Sequence, residues 1–290
     1  MRCFCSKDCP DTCSFDISLS PGGSPVFTPH QRPYTPRPFL CSKLRGFYDV
    51  EACESPRSFY MEAGRKIEAG SEKAIDKAAA RIRRCENGRI LYLRGSGSLS
   101  WRMKAWDALF ARLDRVWFVD GNPCDETGIV AHKKDFSVCI NPPVEQLEQA
   151  DVVLLFGKNA KTVSPHFYVY LKALSEKGTR IVVIDPVQTG TSRIAERYIR
   201  IAPAGDGALA AGILSRLNLE PGLAWENLKY TAGVLDEDFE YLCSLFSQKK
   251  KIGIVTGFSL QRYSNGMMEG YTRSGKHGQE IRAMRCFCSK

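Results

Sequence analysis

The chain has 290 residues, with 41 Lys and Arg against 32 Asp and Glu and a formal net charge of +9. A hydrophobic share of 43% with 25% charged residues is the balance of an ordinary globular protein, and the length allows two domains with a substantial core. No apolar run approaches the ~20 residues that span a bilayer, and the basic residues are dispersed instead of striped with aromatics, which argues against a nucleic-acid surface.

The N-terminus opens directly on cysteines, with no charged and apolar leader pattern, so the expected location is the cytoplasm. Cys5, Cys9 and Cys13 recur at every fourth position, and Cys41 follows on the far side of a short β-like excursion. Four thiolates of this kind can wrap an iron–sulfur cubane. Structural zinc also takes four cysteines, although usually from paired C-x2-C knuckles; a disulfide framework and chance spacing are further readings. Twelve cysteines in a cytosolic chain suit metal ligands plus reduced thiols better than disulfides. Cys53, Cys85, Cys139 and Cys243 are scattered and read as inert thiols. Ser14 to Leu19 and Pro25 to Thr28 read as strands about Pro21-Gly22-Gly23, and the proline-rich stretch to Pro38 as a loop returning to Cys41. These elements make a small β-rich cap over residues 1–56.

Cys5-x3-Cys9-Pro-Asp-x-Cys13 with Phe39-Leu-Cys41-x-Lys43 resembles the N-terminal [4Fe-4S] domain of molybdopterin-dependent oxidoreductases, the group of formate dehydrogenases, nitrate reductases, polysulfide reductases and acetylene hydratase. Family-like segments follow in family order to about residue 266. The resemblance implies a [4Fe-4S] cluster on Cys5, Cys9, Cys13 and Cys41, and a place for Lys43 between that cluster and the pterin. It further implies molybdenum or tungsten held by a bis(molybdopterin guanine dinucleotide), and two-electron redox or oxygen- or sulfur-atom transfer at the metal.

Residues 57–251 read as a doubly wound, mostly parallel Rossmann-like α/β domain. A helix begins near Ser71, with an apolar stripe through Ala74, Ile75, Ala78, Ala79 and Ile82. A strand over residues 89–93 ends at Gly95 and Gly97, and a strand–glycine–helix turn offers backbone N–H groups to a phosphate. A plain tight turn explains those glycines equally well. The strand over residues 115–119 feeds a turn containing Cys124, which by resemblance occupies the position of the metal's protein ligand and otherwise is a buried thiol. A thiolate suits a soft metal, and a helix N-terminus lowers its pKa. His132 reads as a helix-surface residue.

Two apolar runs, Val152 to Phe156 and Arg180 to Ile184, flank a helix of about three turns and form a βαβ unit. Gly157 and Asn159 leave the first strand, and Asp185, Pro186 and Thr189 leave the second, at the carboxyl edge where open α/β sheets place ligands. An acidic residue there can bond a ribose or a guanine edge. Gly205 and Asp206 follow the next strand in a proline-glycine-x-aspartate-like loop, with Ala204 where many relatives have glycine. Asp185 and Asp206 also read as helix caps. Lys249-Lys250-Lys251 ends a helical pattern, where cations suit the helix dipole.

Residues 252–290, with Gly257 closing the first strand, resemble the start of a second α/β domain, truncated relative to the family. Met284 to Lys290 repeats Met1 to Lys7 letter for letter and is expected to have no function of its own. The expected partners are a redox protein and a second chain supplying missing domains, and the isolated chain is expected to turn over poorly. Two rivals stand beside the enzyme: a non-catalytic iron–sulfur and pterin-binding subunit, and a zinc-stabilised α/β binding module.

Overall fold

The computed structural model of the chain describes residues 1–5, 7, 9–44, 58–85, 90–94, 103–119, 126–219, 224–248, 250–257 and 284–288. They form two compact units, one of Met1–Phe4, Cys9–Phe39 and Pro123–Lys290, the other of Cys5–Asp8 and Leu40–Asn122. Among the described residues no helix is long and apolar enough to cross a membrane.

The larger unit begins with a three-stranded antiparallel sheet of β1 (Arg2–Phe4), β2 (Ser14–Leu19) and β3 (Pro25–Pro29). Phe15 is its buried centre, meeting Phe27 edge-on with ring centroids 5.9 Å apart.

In the smaller unit, β4 (Ser58–Glu62) and β5 (Arg65–Ala69) form a hairpin whose two turn residues, Ala63 and Gly64, both have positive φ. That is the turn whose twist matches the strands it joins. Helix α1 (Ser71–Arg83) starts one residue after the cap Gly70, so Ser71 is its first helical residue and not its cap. The expected apolar stripe is present, but no residue of α1 is buried and Ile75 is 65% exposed. β6 (Ile90–Tyr92), α2 (Met103–Phe110) and β7 (Val116–Phe118) form a βαβ turn, and its strands make a two-stranded parallel sheet of their own.

The larger unit resumes with α3 (Glu126–Phe136) and a 3-10 turn at Val144–Gln149. Its main sheet is built from β8 (Val152–Phe156), β9 (Arg180–Asp185), β10 (Arg197–Arg200), β11 (Ile252–Thr256) and β12 (Met284–Cys288). They pair in the order β10-β9-β8-β11-β12, and every pairing is parallel. Parallel neighbours need crossovers. These include α4 (Ala160–Val163) and α5 (Pro165–Glu176) after β8, a 3-10 turn at Gly190–Ile194 after β9, and α6 (Asp206–Arg216), α7 (Trp225–Ala232) and α8 (Asp236–Ser247) between β10 and β11.

Strand side chains alternate between two cores. Val152, Leu154, Val182, Ile184 and Ile199 pack with Leu209 and Ile213 of α6 and Phe239 and Leu242 of α8. Val153, Leu155, Ile181, Val183 and Val255 pack with Phe167, Tyr170, Leu171 and Leu174 of α5 and with Leu147. The continuous apolar runs of β8 and β9 thus reflect burial on both faces. The repeated heptapeptide supplies a strand at each of its two occurrences, β1 antiparallel to β2 and β12 parallel to β11.

Leu154 is fully buried in the central strand. We expect Leu154→Ala to destabilise the chain by ~2–5 kcal/mol in urea unfolding, the usual cost of such a cavity. A loss below ~1 kcal/mol would show that the site collapses freely around the missing atoms.

Candidate functional site

From β8 the sheet is built outward both ways, through β9 and β10 on one side and β11 on the other. The carboxyl ends of β8 and β11 lie side by side, and the carboxyl edge of a doubly wound sheet is where ligands are held. The two backbones meet there. Gly257 N–H donates to the Phe156 carbonyl at 2.7 Å. A Cβ on Gly257 would collide with the Gly157 carbonyl oxygen, so the approach requires glycine. Gly157 itself has φ +57° and donates its N–H to the Ile184 carbonyl at 2.8 Å.

The β8 and β9 loops are laced by side chains. Thr191 Oγ1 donates to Asn159 Oδ1 at 3.2 Å and accepts from the Lys161 N–H at 3.1 Å, while Thr189 Oγ1 accepts from the Thr191 N–H at 3.3 Å. Asn159 and Thr189 thus fix loop geometry. Lys158, between Gly157 and Asn159, is buried, which its sequence position alone gave no reason to expect.

Two acidic groups lie on this edge. Asp185 ends β9; its Oδ1 accepts from the Val187 N–H at 2.9 Å, which closes the turn through Pro186. Asp206 is the first residue of α6, with Gly205 as the cap. A Cβ on Gly205 would press on the Ala232 and Thr231 carbonyls, so that glycine serves the packing of the loop on α7. Ala204 has φ +67°, a left-handed conformation that glycine adopts without strain. Burial pushes both carboxyls up, and the nearby Asp185 charge pushes Asp206 further, to about 6. A buried carboxylate with no cation beside it among the described residues is suited to accept hydrogen bonds from a ligand's N–H or O–H groups.

The cysteine loop meets the start of α5. Asp11 caps that helix, accepting from the His166 and Phe167 N–H groups at 3.0 and 3.3 Å. Its Oδ2 lies 3.4 Å from Nδ1 of His166, and both side chains are almost wholly buried. The imidazole stacks on Phe39, with centroids 3.9 Å apart, and its Nε2 donates to the Phe39 carbonyl at 2.9 Å. Cys13 Sγ is 3.5 Å from Nδ1, and Cys9 Sγ donates to the Val163 carbonyl at 3.2 Å. Burial opposes the imidazolium, but the bonds to Asp11, Cys13 and Phe39 outweigh it and raise His166 to about 10. Burial likewise opposes the Asp11 carboxylate, and bonds from His166 and Phe167 hold it below its usual range.

Neither His166 nor Asp11 was singled out by spacing, although Asp11 stands inside the cysteine motif and His166 follows a helix-starting Ser-Pro. His132 is buried, at 4% exposure, and not on the helix surface as expected. Within the smaller unit, Cys41 is buried and starts a turn closed by the Leu44 N–H on its carbonyl at 3.1 Å, with Lys43 half-buried inside that turn. Gly95, Gly97 and Cys124 lie outside the described residues. Among the described residues no three His, Cys, Asp or Glu side chains converge as a metal-binding group. Cys5, Cys9, Cys13 and Cys41 supply thiol sulfur, the donor chemistry that an iron–sulfur cluster takes. An open cavity of about 440 Å³ lies at the opposite, amino edge of the sheet, beside Lys172, Arg180, Arg193 and Glu196.

A family model described as Molybdopterin oxidoreductase matches residues 68–217, just over half of the chain. Probable oxidoreductase YyaE of Bacillus subtilis (strain 168) is 26% identical over 294 residues, covering 90% of this chain and 43% of that protein. A nitrate reductase of Klebsiella oxytoca is 33% identical over 97 residues, covering 32% of this chain and 11% of its own. Acetylene hydratase from Pelobacter acetylenicus superposes with a TM-score of 0.66 at 13% identity, over 94% of this chain and 42% of that one, a likeness of fold. The chain thus spans less than half the length of these proteins.

Because the folded state holds the Asp206 proton up to about pH 6 while the unfolded chain releases it near 3.8, unfolding releases a proton between those values. Stability should therefore fall as pH rises through that window, by up to ~3 kcal/mol in all. Asp206→Asn should flatten the decline in urea unfolding at pH 4 and pH 7. An unchanged decline would assign it to other groups.

Proposed function

The chain belongs to the molybdopterin oxidoreductase family, and on that premise we propose that it binds a molybdenum or tungsten bis(molybdopterin guanine dinucleotide) together with a [4Fe-4S] cluster. The observation that carries the proposal is the buried carboxylate pair, Asp185 and Asp206, on the carboxyl edge beside the glycine approach of Gly157 and Gly257. Asp185 and Asp206 accept hydrogen bonds from the nucleotide's sugar and base, and the turn through Pro186, with Thr189, Asn159 and Gly205, keeps the loops in register. The glycine backbones admit the ligand close to the sheet. Gly95 and Gly97 offer N–H groups to a phosphate, and Cys124 is the protein ligand of the metal.

When bound, the cofactor supplies two-electron redox or oxygen- or sulfur-atom transfer. Cys5, Cys9, Cys13 and Cys41 would hold the cluster, Lys43 would stand between cluster and pterin, and a redox partner protein would exchange single electrons with the chain. A cytoplasmic setting goes with this reading, because twelve cysteines suit metal ligands and reduced thiols better than disulfides.

Anaerobically purified protein should carry close to four irons with matching acid-labile sulfide, and Cys9→Ala or Cys41→Ala should abolish both. Stoichiometric zinc without sulfide would replace this reading with a zinc-stabilised module. Acid treatment should release pterin; protein with a full cluster and no pterin would leave an iron–sulfur chain without the proposed cofactor.

Cys124→Ala should remove the metal–thiolate sulfur scattering in X-ray absorption while iron content stays unchanged. A metal site identical to wild type would make Cys124 an ordinary thiol.

A further inference from the structure

We propose that Lys161 is the anion-binding residue of the carboxyl edge. Its stem is laid on Gly190 in advance, and its ammonium takes the diphosphate of a nucleoside diphosphate whose sugar and base meet Asp185 and Asp206. The proposal rests on the nucleotide reading above and adds to it a residue and the part of the ligand that residue holds.

Lys161 stands in α4, on the segment that leaves β8, and Gly190 opens the 3-10 turn that follows β9. The lysine stem lies against the glycine backbone. A Cβ on Gly190 would fall 2.8 Å from Cδ of Lys161 and 3.6 Å from its Cγ, so a side chain there would take the place of the stem. The backbone of the same lysine is held as well. Its N–H donates to Thr191 Oγ1 at 3.1 Å, and that hydroxyl donates to Asn159 Oδ1 at 3.2 Å. At the far end, Nζ lies 5.8 Å from the centre of the Tyr168 ring, the outer range of a cation–π contact. Backbone, stem and head are thus each restrained on a half-buried residue. A lysine gives up rotamer freedom when it binds an anion, and a stem ordered beforehand has less to lose.

Other lysines of this unit are taken up by carboxylates: Lys172 faces Glu176 at 3.6 Å, and Lys229 faces Glu226 at 2.6 Å. Lys161 makes no ion pair among the described residues. The class of ligand follows from the signs of the groups on this edge. Asp185 and Asp206 are buried acceptors that favour N–H and O–H donors and repel an anion. Lys161, on the neighbouring segment, attracts an anion with three N–H donors and repels a cation. A molecule that is neutral and rich in donors at one end and negative at the other satisfies both, and a nucleoside diphosphate has that form. A bare phosphate lacks the donors, and a nucleoside lacks the charge.

The test measures binding of guanosine diphosphate and of guanosine to the full chain, produced without pterin cofactor, by calorimetric titration at low salt. Lys161→Met keeps the stem and removes the charge, Lys161→Arg keeps a charge, and Gly190→Ala displaces the stem with its charge intact. Wild type should bind the diphosphate more tightly than guanosine. Lys161→Met should weaken the diphosphate about tenfold, the scale of one charge-assisted contact, and leave guanosine unchanged. Lys161→Arg should recover most of that loss. Gly190→Ala should weaken the diphosphate by a smaller factor, again without touching guanosine. Diphosphate binding at wild-type strength in Lys161→Met overturns the proposal, and so does an equal loss for both ligands, the mark of a merely structural role. If Lys161→Met does not fold, Gly190→Ala decides by the same two criteria. Wild type that binds guanosine as tightly as the diphosphate overturns the role of Lys161 and leaves the reading of Asp185 and Asp206 standing. Wild type that binds neither overturns both.

Discussion

β8 runs through the centre of the main sheet with Val152 to Leu155 fully buried, two side chains to each face. A strand so placed has no polar face to turn to water, so both of its sides must be covered by other elements. Helix α5 covers one face, and α6 and α8 cover the other. Parallel pairing sends every crossover from a carboxyl end back to an amino end, and this gathers the loops after β8, β9 and β10, with Gly257 at the end of β11, on one edge. The position of the carboxylates and glycines follows from that burial, before any property of a ligand is considered.

On that edge the chain concentrates groups that are uncomfortable without a ligand. Asp185 and Asp206 are pushed toward the neutral form by burial, while Gly157 and Gly257 bring two backbones into contact. A few paces along the same loop system, at the α4–α5 junction, the opposite holds. Asp11 and His166 satisfy one another and the helix N-terminus together, and the cysteine loop is fastened to the result. The sheet thus presents one region awaiting hydrogen-bond donors and another already furnished with them.

Much of the main sheet was legible because its signals are local. Val152 to Phe156 and Arg180 to Ile184 are continuous apolar runs separated by a helix that starts at a proline, and the strands and helix are where those runs place them. Asp185, Gly205 and Asp206 were found by position at strand ends. Their division of labour was not legible, because it depends on long-range packing: Gly205 answers to the α7 carbonyls, and Thr189 and Asn159 to Thr191. The burial of His166 and His132 was missed for the same reason, since a lone histidine carries no periodic signal. In α1 the apolar spacing identified the helix but not what that face packs against, and none of its residues is buried.

The hydrogen bonds between Asp11 and α5 join residues 155 and 156 positions apart in the chain. Contacts of such separation form late, because the ordering of the intervening chain precedes any gain from them. The cysteine loop therefore acquires its docking place only after β8 and α5 have assembled, although it precedes both in the chain. Whatever engages that loop in its docked form therefore meets a nearly finished sheet.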